Sequence, residues 1–134
     1  SGFNSVLQDY GLPPLIPIEN DKDMEENLVR LVKDEGVTAV FNYNDEVALK
    51  TYRVFNSAGI RIPQDVSIIG FDDTVFTKAT DPQMTSVVHP KELLGHMAAA
   101  KLISLIEHRY YKIDKDALYP KLSIRDSCCS PDTN

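Results

Sequence analysis

The sequence predicts an α/β fold layered on a parallel sheet. Short β-branched and aromatic runs alternate with segments of helical period, the links between them are brief and rich in Gly, Pro, Asn and Asp, and no internal repeat or low-complexity tract interrupts the succession. With 134 residues the chain is one domain's worth. A hydrophobic content of 43% and a charged content of 25% are those of an ordinary soluble globule rather than a disordered chain.

Gly2 to Tyr10 reads as the end of a helix, stopped by Gly11 and the Pro13-Pro14 pair. Leu15 to Glu19 is a short candidate strand. Asn20 or Asp21 then caps a helix whose apolar positions Met24, Leu28, Leu31 and Val32 share one face, with Gly36 as its stop. The acidic run Asp21 to Glu26 suits the positive end of that helix. Thr38 to Tyr43 reads as a buried strand. Asn44 and Asp45 turn it into a helix in which Val47, Ala48, Thr51, Tyr52 and Phe55 face inward, ended by Gly59.

Ile62-Pro63-Gln64-Asp65 is a turn, and Val66 to Phe71 is the most strand-like segment of all, closed by Asp72 and Asp73. Thr74 to Pro82 has no regular period and is expected to be a loop. Thr85 to Val88 is extended, and His89-Pro90 opens a long helix with Pro90 at its first position. Leu94, Met97, Ala98, Leu102, Leu105 and Ile106 are its expected buried stripe. Tyr119 to Ile124 is a last strand, and residues 127–134 are expected to be a loose tail after the domain, 1–126. The adjacent Cys128 and Cys129 read as inert thiols, since neighbouring cysteines do not form a relaxed disulfide; a reducing, cytoplasmic setting is expected.

Fourteen Lys plus Arg against twenty Asp plus Glu give a net charge of -6, which argues against nucleic-acid binding by this segment itself. No apolar run approaches the ~20 residues of a membrane span, and the opening Ser-Gly-Phe-Asn-Ser lacks the basic and apolar regions of a signal peptide.

In open parallel sheets ligands bind beyond the carboxyl ends of the strands. Here those ends carry Glu19 and Asn20, then Asn44 and Asp45, then Asp72 and Asp73, then His89, with no basic residue among them. Neither Gly-rich phosphate motif is present, so the site reads as built for a neutral polyol. A carboxylate accepts hydrogen bonds from neighbouring hydroxyls and an amide both donates and accepts, which suits a sugar; Tyr43 or Phe71 could offer a ring face.

Each candidate also has a plainer role. Asp45 reads first as the N-cap of the helix starting at Glu46, Asn44 as turn residue or ligand contact, one of Asp72 and Asp73 as a turn former, and His89 as a structural hydrogen-bonder. His96 and His108 read as surface residues. No catalytic residue is indicated: Gly-x-Ser-x-Gly, His-Glu-x-x-His and Cys-x-x-Cys are missing. No metal or cofactor is expected. The competing enzyme reading, a Mg²⁺-dependent phosphoryl transfer on the strand-end carboxylates, would need a lysine beside them.

Five blocks carry a resemblance. Thr38-Ala-Val-Phe-Asn-Tyr-Asn-Asp-Glu-Val-Ala-Leu, Gly59-Ile-Arg-Ile-Pro-Gln-Asp-Val-Ser-Ile-Ile-Gly-Phe-Asp-Asp, Met84-Thr-Ser-Val-Val-His-Pro, Gly95-His-Met-Ala and Ile124-Arg-Asp-Ser follow one another in the order and spacing of the sugar-sensing domain of the lactose/galactose repressor family. The Val-Val-His-Pro-Lys-Glu stretch looks most like bacterial arabinose repressors.

The resemblance implies a bilobed, periplasmic-binding-protein-like (type I) domain in which this chain is the C-terminal, Rossmann-like lobe. That lobe would start after its first strand and include the crossover to an N-terminal lobe. It implies sugar contacts by Asn44 and Asp72, with His89 facing the effector and Asn20 near a position where an aromatic commonly stacks. It leaves Asp45 and Asp73 as caps or supports, and places the family's pocket arginine before Gly2. It further implies an allosteric repressor, a homodimer through Glu46 to Ala58 and the loop after Asp73, and DNA contact only through a separate head. An uptake binding protein of the cell envelope shares the fold.

Overall fold

Alternating burial along Ser67–Phe71 shows how the sheet is seated: Ile68 and Gly70 are buried, while Ser67, Ile69 and Phe71 between them are half-buried, so one face meets the core. In the computed structural model, which describes residues 2–19, 21–112 and 116–130, this segment is β2 of a four-stranded sheet. The strands are β1 (Ala39–Phe41), β2 (Ser67–Phe71), β3 (Thr85–Val88) and β4 (Lys121–Ser123), in that spatial order. The first three are parallel, with Val40 opposite Ile68 and Gly70 opposite Ser86. β4 runs antiparallel to β3, with Leu122 opposite Val87.

Two helices cover the core face. α2 (Met24–Lys33) and α3 (Asp45–Ser57) bring Met24, Leu28, Val47, Ala48, Tyr52 and Phe55 against Ile60, Ile62, Val66, Ile68 and Met84. The inward positions read from helical period are the buried ones, with Val32 packed at the margin. Gly59 ends α3 at φ +68, a conformation that costs glycine nothing, and the Ile60 amide closes the end on the Phe55 carbonyl at 2.9 Å. The turn after it is pinned by Arg61, whose side-chain and backbone hydrogen bonds hold the Asp65 carboxyl down at about 2.

Several expectations are corrected. Leu15 to Glu19 pairs with no strand and is irregular; Ile16 is 54% exposed, so an apolar run alone did not earn a ladder partner. α2 begins at Met24 with Asp23 at its cap position, and the Asp21 carboxylate accepts from the Asp23 amide one turn earlier. The Thr38 to Tyr43 segment forms only the short β1, which is the sheet's edge and is largely exposed rather than buried. α1 (Gly2–Asp9) buries no residue and touches the sheet through Phe3, whose ring lies 5.5 Å from that of Phe41. Between β2 and β3 the expected loop contains a 3₁₀ turn, Val75–Lys78.

The largest correction concerns α4 (Lys91–Ile106), for which Pro90 is the cap rather than the first helical residue. Of its expected buried stripe only Met97 is buried, joined by Ser104; Leu94, Leu102, Leu105 and Ile106 are exposed. Among the described residues α4 packs extensively on no other element.

Nor does the chain loosen at Ser127. Its side chain is fully buried: Oγ donates to the Ile68 carbonyl at 2.6 Å and accepts from the Thr85 amide at 2.9 Å, while its carbonyl accepts from the Ile68 amide at 2.9 Å. Backbone groups of β2 and β3 that need partners find them in this segment. Polar composition suggests a tail but cannot show that pairing. Cys128 and Cys129 are free thiols, each with Sγ near a carbonyl, of Ile68 and Pro63 respectively. Residues 131–134 of the expected tail lie outside the described residues.

Candidate functional site

The Asn-Asp pair after β1 divides its labour opposite to the first expectation. Asn44, extended at φ -155, is the N-cap of α3: its side-chain oxygen accepts from the Val47 amide at 2.9 Å. Asp45 is therefore not the cap. It is fully buried, one carboxylate oxygen accepting from Ser86 Oγ at 2.7 Å and the other from the Thr74 amide at 2.6 Å. It braces α3 to β3 and to the loop that follows β2. The space for it exists because residue 70 is glycine: a Cβ there would lie 2.3 Å from Asp45 Oδ1.

At the end of β2 two successive aspartates take positive φ, 109° at Asp72 and 48° at Asp73. Such conformations are costly for side chains other than glycine, least so for Asn and Asp, and persist where surrounding contacts hold them. The Asp72 amide donates to the Val87 carbonyl at 2.9 Å and the Asp73 amide to Ser86 Oγ at 3.1 Å. Asp72 Oδ1 lies 3.0 Å from His89 Nε2 and 3.0 Å from Lys91 Nζ. Partial burial pushes the Asp72 carboxyl up, but the hydrogen bonds and charges of Lys91 and His89 outweigh it, so the carboxyl titrates below its ordinary range. The His89 ring stacks on Phe71 with centroids 5.4 Å apart. Asp73 Oδ1 accepts from Arg125 Nη2 at 2.6 Å and from Thr77 Oγ1 at 3.2 Å.

Asn44, Asp72 and His89 thus stand at the carboxyl ends of three successive parallel strands. Among the described residues, Asn44 Nδ2 and Asp72 Oδ2 take no hydrogen bond, leaving an amide NH2 to donate and a carboxylate oxygen to accept. Asn20 lies outside the described residues. Of the two ring candidates, Phe71 is committed to His89, whereas Tyr43 is 63% exposed.

The expectation that no basic residue reaches the strand ends is overturned by Lys91, in the first turn of α4, and by Arg125, after β4. Each compensates one carboxylate, so the rim is not a bare acidic cluster. Lys91 is only two residues beyond His89, a proximity that the sequence displays. Arg125 is 52 residues from Asp73, and no local pattern announces it. Among the described residues no three His, Cys, Asp or Glu side chains are gathered to hold a metal ion. A separate open groove of about 880 Å³ runs between α2 and α3, lined by charged residues such as Glu26, Arg30, Lys50 and Arg53, and includes none of the rim residues.

Residues 1–128 match the model of the periplasmic binding protein-like domain. The chain belongs to that family. Among curated relatives, the arabinose metabolism transcriptional repressor of Geobacillus stearothermophilus is 43% identical over 98 residues, covering 71% of this chain and 26% of that protein. The probable HTH-type transcriptional repressor ExuR of Bacillus subtilis is 37% identical, over 91% of this chain and 36% of its own length. Among solved structures, a LacI-family transcriptional regulator from Enterococcus faecium with bound ribose superposes with a TM-score of 0.75 at 30% identity, over 95% of this chain and 49% of that one. The chain therefore spans about a quarter to a third of these curated relatives and about half of the solved regulator. As the resemblance implied, the domain is periplasmic-binding-protein-like, its structural neighbours include LacI-family regulators, and these curated relatives are transcriptional repressors.

Proposed function

We propose that this chain is the C-terminal lobe of the sugar-sensing domain of a transcriptional repressor, and that it binds a small sugar such as L-arabinose at the rim formed by Asn44, Asp72 and His89, with Asn20 beside it. The observation that carries the reading is that an Asp72 oxygen and the Asn44 amide nitrogen, after adjacent strands, both take no hydrogen bond among the described residues, beside the buried Asp45 brace. The likeness to arabinose repressors supports the choice of sugar. Lys91 adds a further donor that a hydroxyl could meet. The lobe extends past residue 126 to include Ser127 and Cys129, whose hydrogen bonds belong to the sheet.

The outward apolar side chains of α4, from Leu94 to Ile106, are the surface that a second lobe would cover, since a helix apolar on most sides is stable when buried. Sugar held from both lobes favours a closed arrangement. That change reaches a DNA-binding head carried elsewhere in the protein and lowers operator affinity; a coupling of ~1–3 kcal/mol suffices for a useful switch. The protein acts in the cytoplasm as a homodimer, joined through α3 and the 3₁₀ turn, where Val75 and Phe76 are exposed. Sedimentation at monomer mass would contradict the dimer. The functional reading is tested by operator affinity of the intact protein with and without L-arabinose: a change of about fivefold or more is expected, and an unchanged affinity across pentoses and hexoses overturns it.

A further inference from the structure

We propose that Arg125 is a positioning residue for effector recognition: from the chain returning after β4, its guanidinium holds the Asp72-Asp73 turn in the shape that presents the free oxygen of Asp72. This rests on the sugar reading above.

Two neighbouring residues with side chains stand at positive φ, a combination that the chain does not hold without restraint. The amides of Asp72, Asp73 and Thr74 are tied to Val87, Ser86 and Asp45, which fixes the turn from the sheet side. On the other side the firmest grip is that of Arg125. Nη2 donates to Asp73 Oδ1 at 2.6 Å while Nη1 donates to the Met84 carbonyl at 2.7 Å, so the planar fork spans the turn and the start of β3. The Arg125 side chain is only 11% exposed, and its own amide is anchored on Thr85 Oγ1 at 3.0 Å. Because Met84 is buried and Thr85 lies in the sheet, the guanidinium cannot follow the turn if it relaxes. It can only hold Asp73 at φ 48° or let go.

Two explanations of the same contact must be separated: holding the turn, or merely compensating the Asp73 charge. Glycine adopts positive φ without strain and alanine does not, yet both remove the carboxylate. The test uses the intact protein and four variants: Arg125→Ala, Arg125→Lys, Arg125→Ala with Asp73→Gly, and Arg125→Ala with Asp73→Ala. Two readouts are taken, calorimetric titration with L-arabinose and amide hydrogen exchange at positions 73 and 74.

Arg125→Ala is expected to weaken L-arabinose binding about tenfold, the equivalent of ~1.4 kcal/mol, and to speed exchange at both amides. Arg125→Lys, which supplies a charge but no fork, should fall between it and the parent protein. The Asp73→Gly double variant should recover most of the lost affinity and protection, and the Asp73→Ala double variant should not. Equal recovery in both doubles would reduce Arg125 to charge compensation, and recovery in neither, or no loss in Arg125→Ala, would remove it from the turn altogether. If Arg125→Ala does not fold, Arg125→Lys with the same two Asp73 substitutions carries the comparison. If the parent protein binds no L-arabinose, the titration is made with the pentose or hexose that it does bind; binding of none defeats the sugar reading, while the exchange pattern still decides the role of Arg125.

Discussion

Replacing Gly70 by alanine probes the brace beneath the rim. The added Cβ would lie 2.3 Å from Asp45 Oδ1 and 3.0 Å from Met84 Sδ, well inside contact distance. Met84 is a flexible thioether and can shift. Asp45 cannot do so freely, because both oxygens are engaged, with Ser86 Oγ at 2.7 Å and the Thr74 amide at 2.6 Å. Hydrogen bonds to a charged group contribute ~1.5–3 kcal/mol each, so displacing the carboxylate from both costs about 3–6 kcal/mol. For a domain of this size that is a fall of roughly 10–20 °C in Tm. Asp45→Ala loses the same two bonds but also clears the space that the new methyl needs. Thermal melts of the parent protein, Gly70→Ala, Asp45→Ala and the double variant therefore form a cycle with a coupling of about 2 kcal/mol or more. Additive costs, or a Gly70→Ala protein melting within about 2 °C of the parent, would refute the account of Gly70 and Asp45 as one packed unit.

Two further outcomes follow from neighbouring contacts. Asn44→Ala should lose ~1 kcal/mol of stability with the cap and weaken sugar binding, whereas Asn44→Asp keeps a capping oxygen but not the donor, and should separate the two effects in paired melts and titrations. Tyr52 is pushed up to about 12, chiefly by burial, and its hydroxyl donates to the Pro82 carbonyl at 2.5 Å. A raised folded value means that the folded state keeps its proton longer than the unfolded chain. The stabilisation from this neutral tyrosine is complete below pH ~10 and is lost as pH climbs toward 12. Tyr52→Phe should flatten that alkaline decline in denaturation midpoints.

The succession of helices and strands was legible because its signals are local: β-branched runs for β2 and β3, and inward spacing for α2 and α3. What stayed hidden depends on partners distant in the chain. α4 carries an apolar pattern that reads as buried, yet most of that stripe is exposed, and periodicity cannot say where a covering surface comes from. Asn44 and Asp45 are equally good caps by residue type, and only the Ser86 and Thr74 groups across the sheet decide which one turns inward. The contact Arg125 makes stays hidden for the same reason, although its block Ile124-Arg-Asp-Ser helps carry the resemblance, whereas Lys91 lies only two residues beyond His89.

The most direct test of the central claim is calorimetric titration of the intact protein and of Asp72→Ala with L-arabinose and a small panel of other pentoses and hexoses. Saturable binding of a sugar by the parent, abolished in an Asp72→Ala variant that still melts cooperatively, is the expected result. Unaltered sugar affinity in Asp72→Ala, or heat from no sugar at all in the parent, would contradict it.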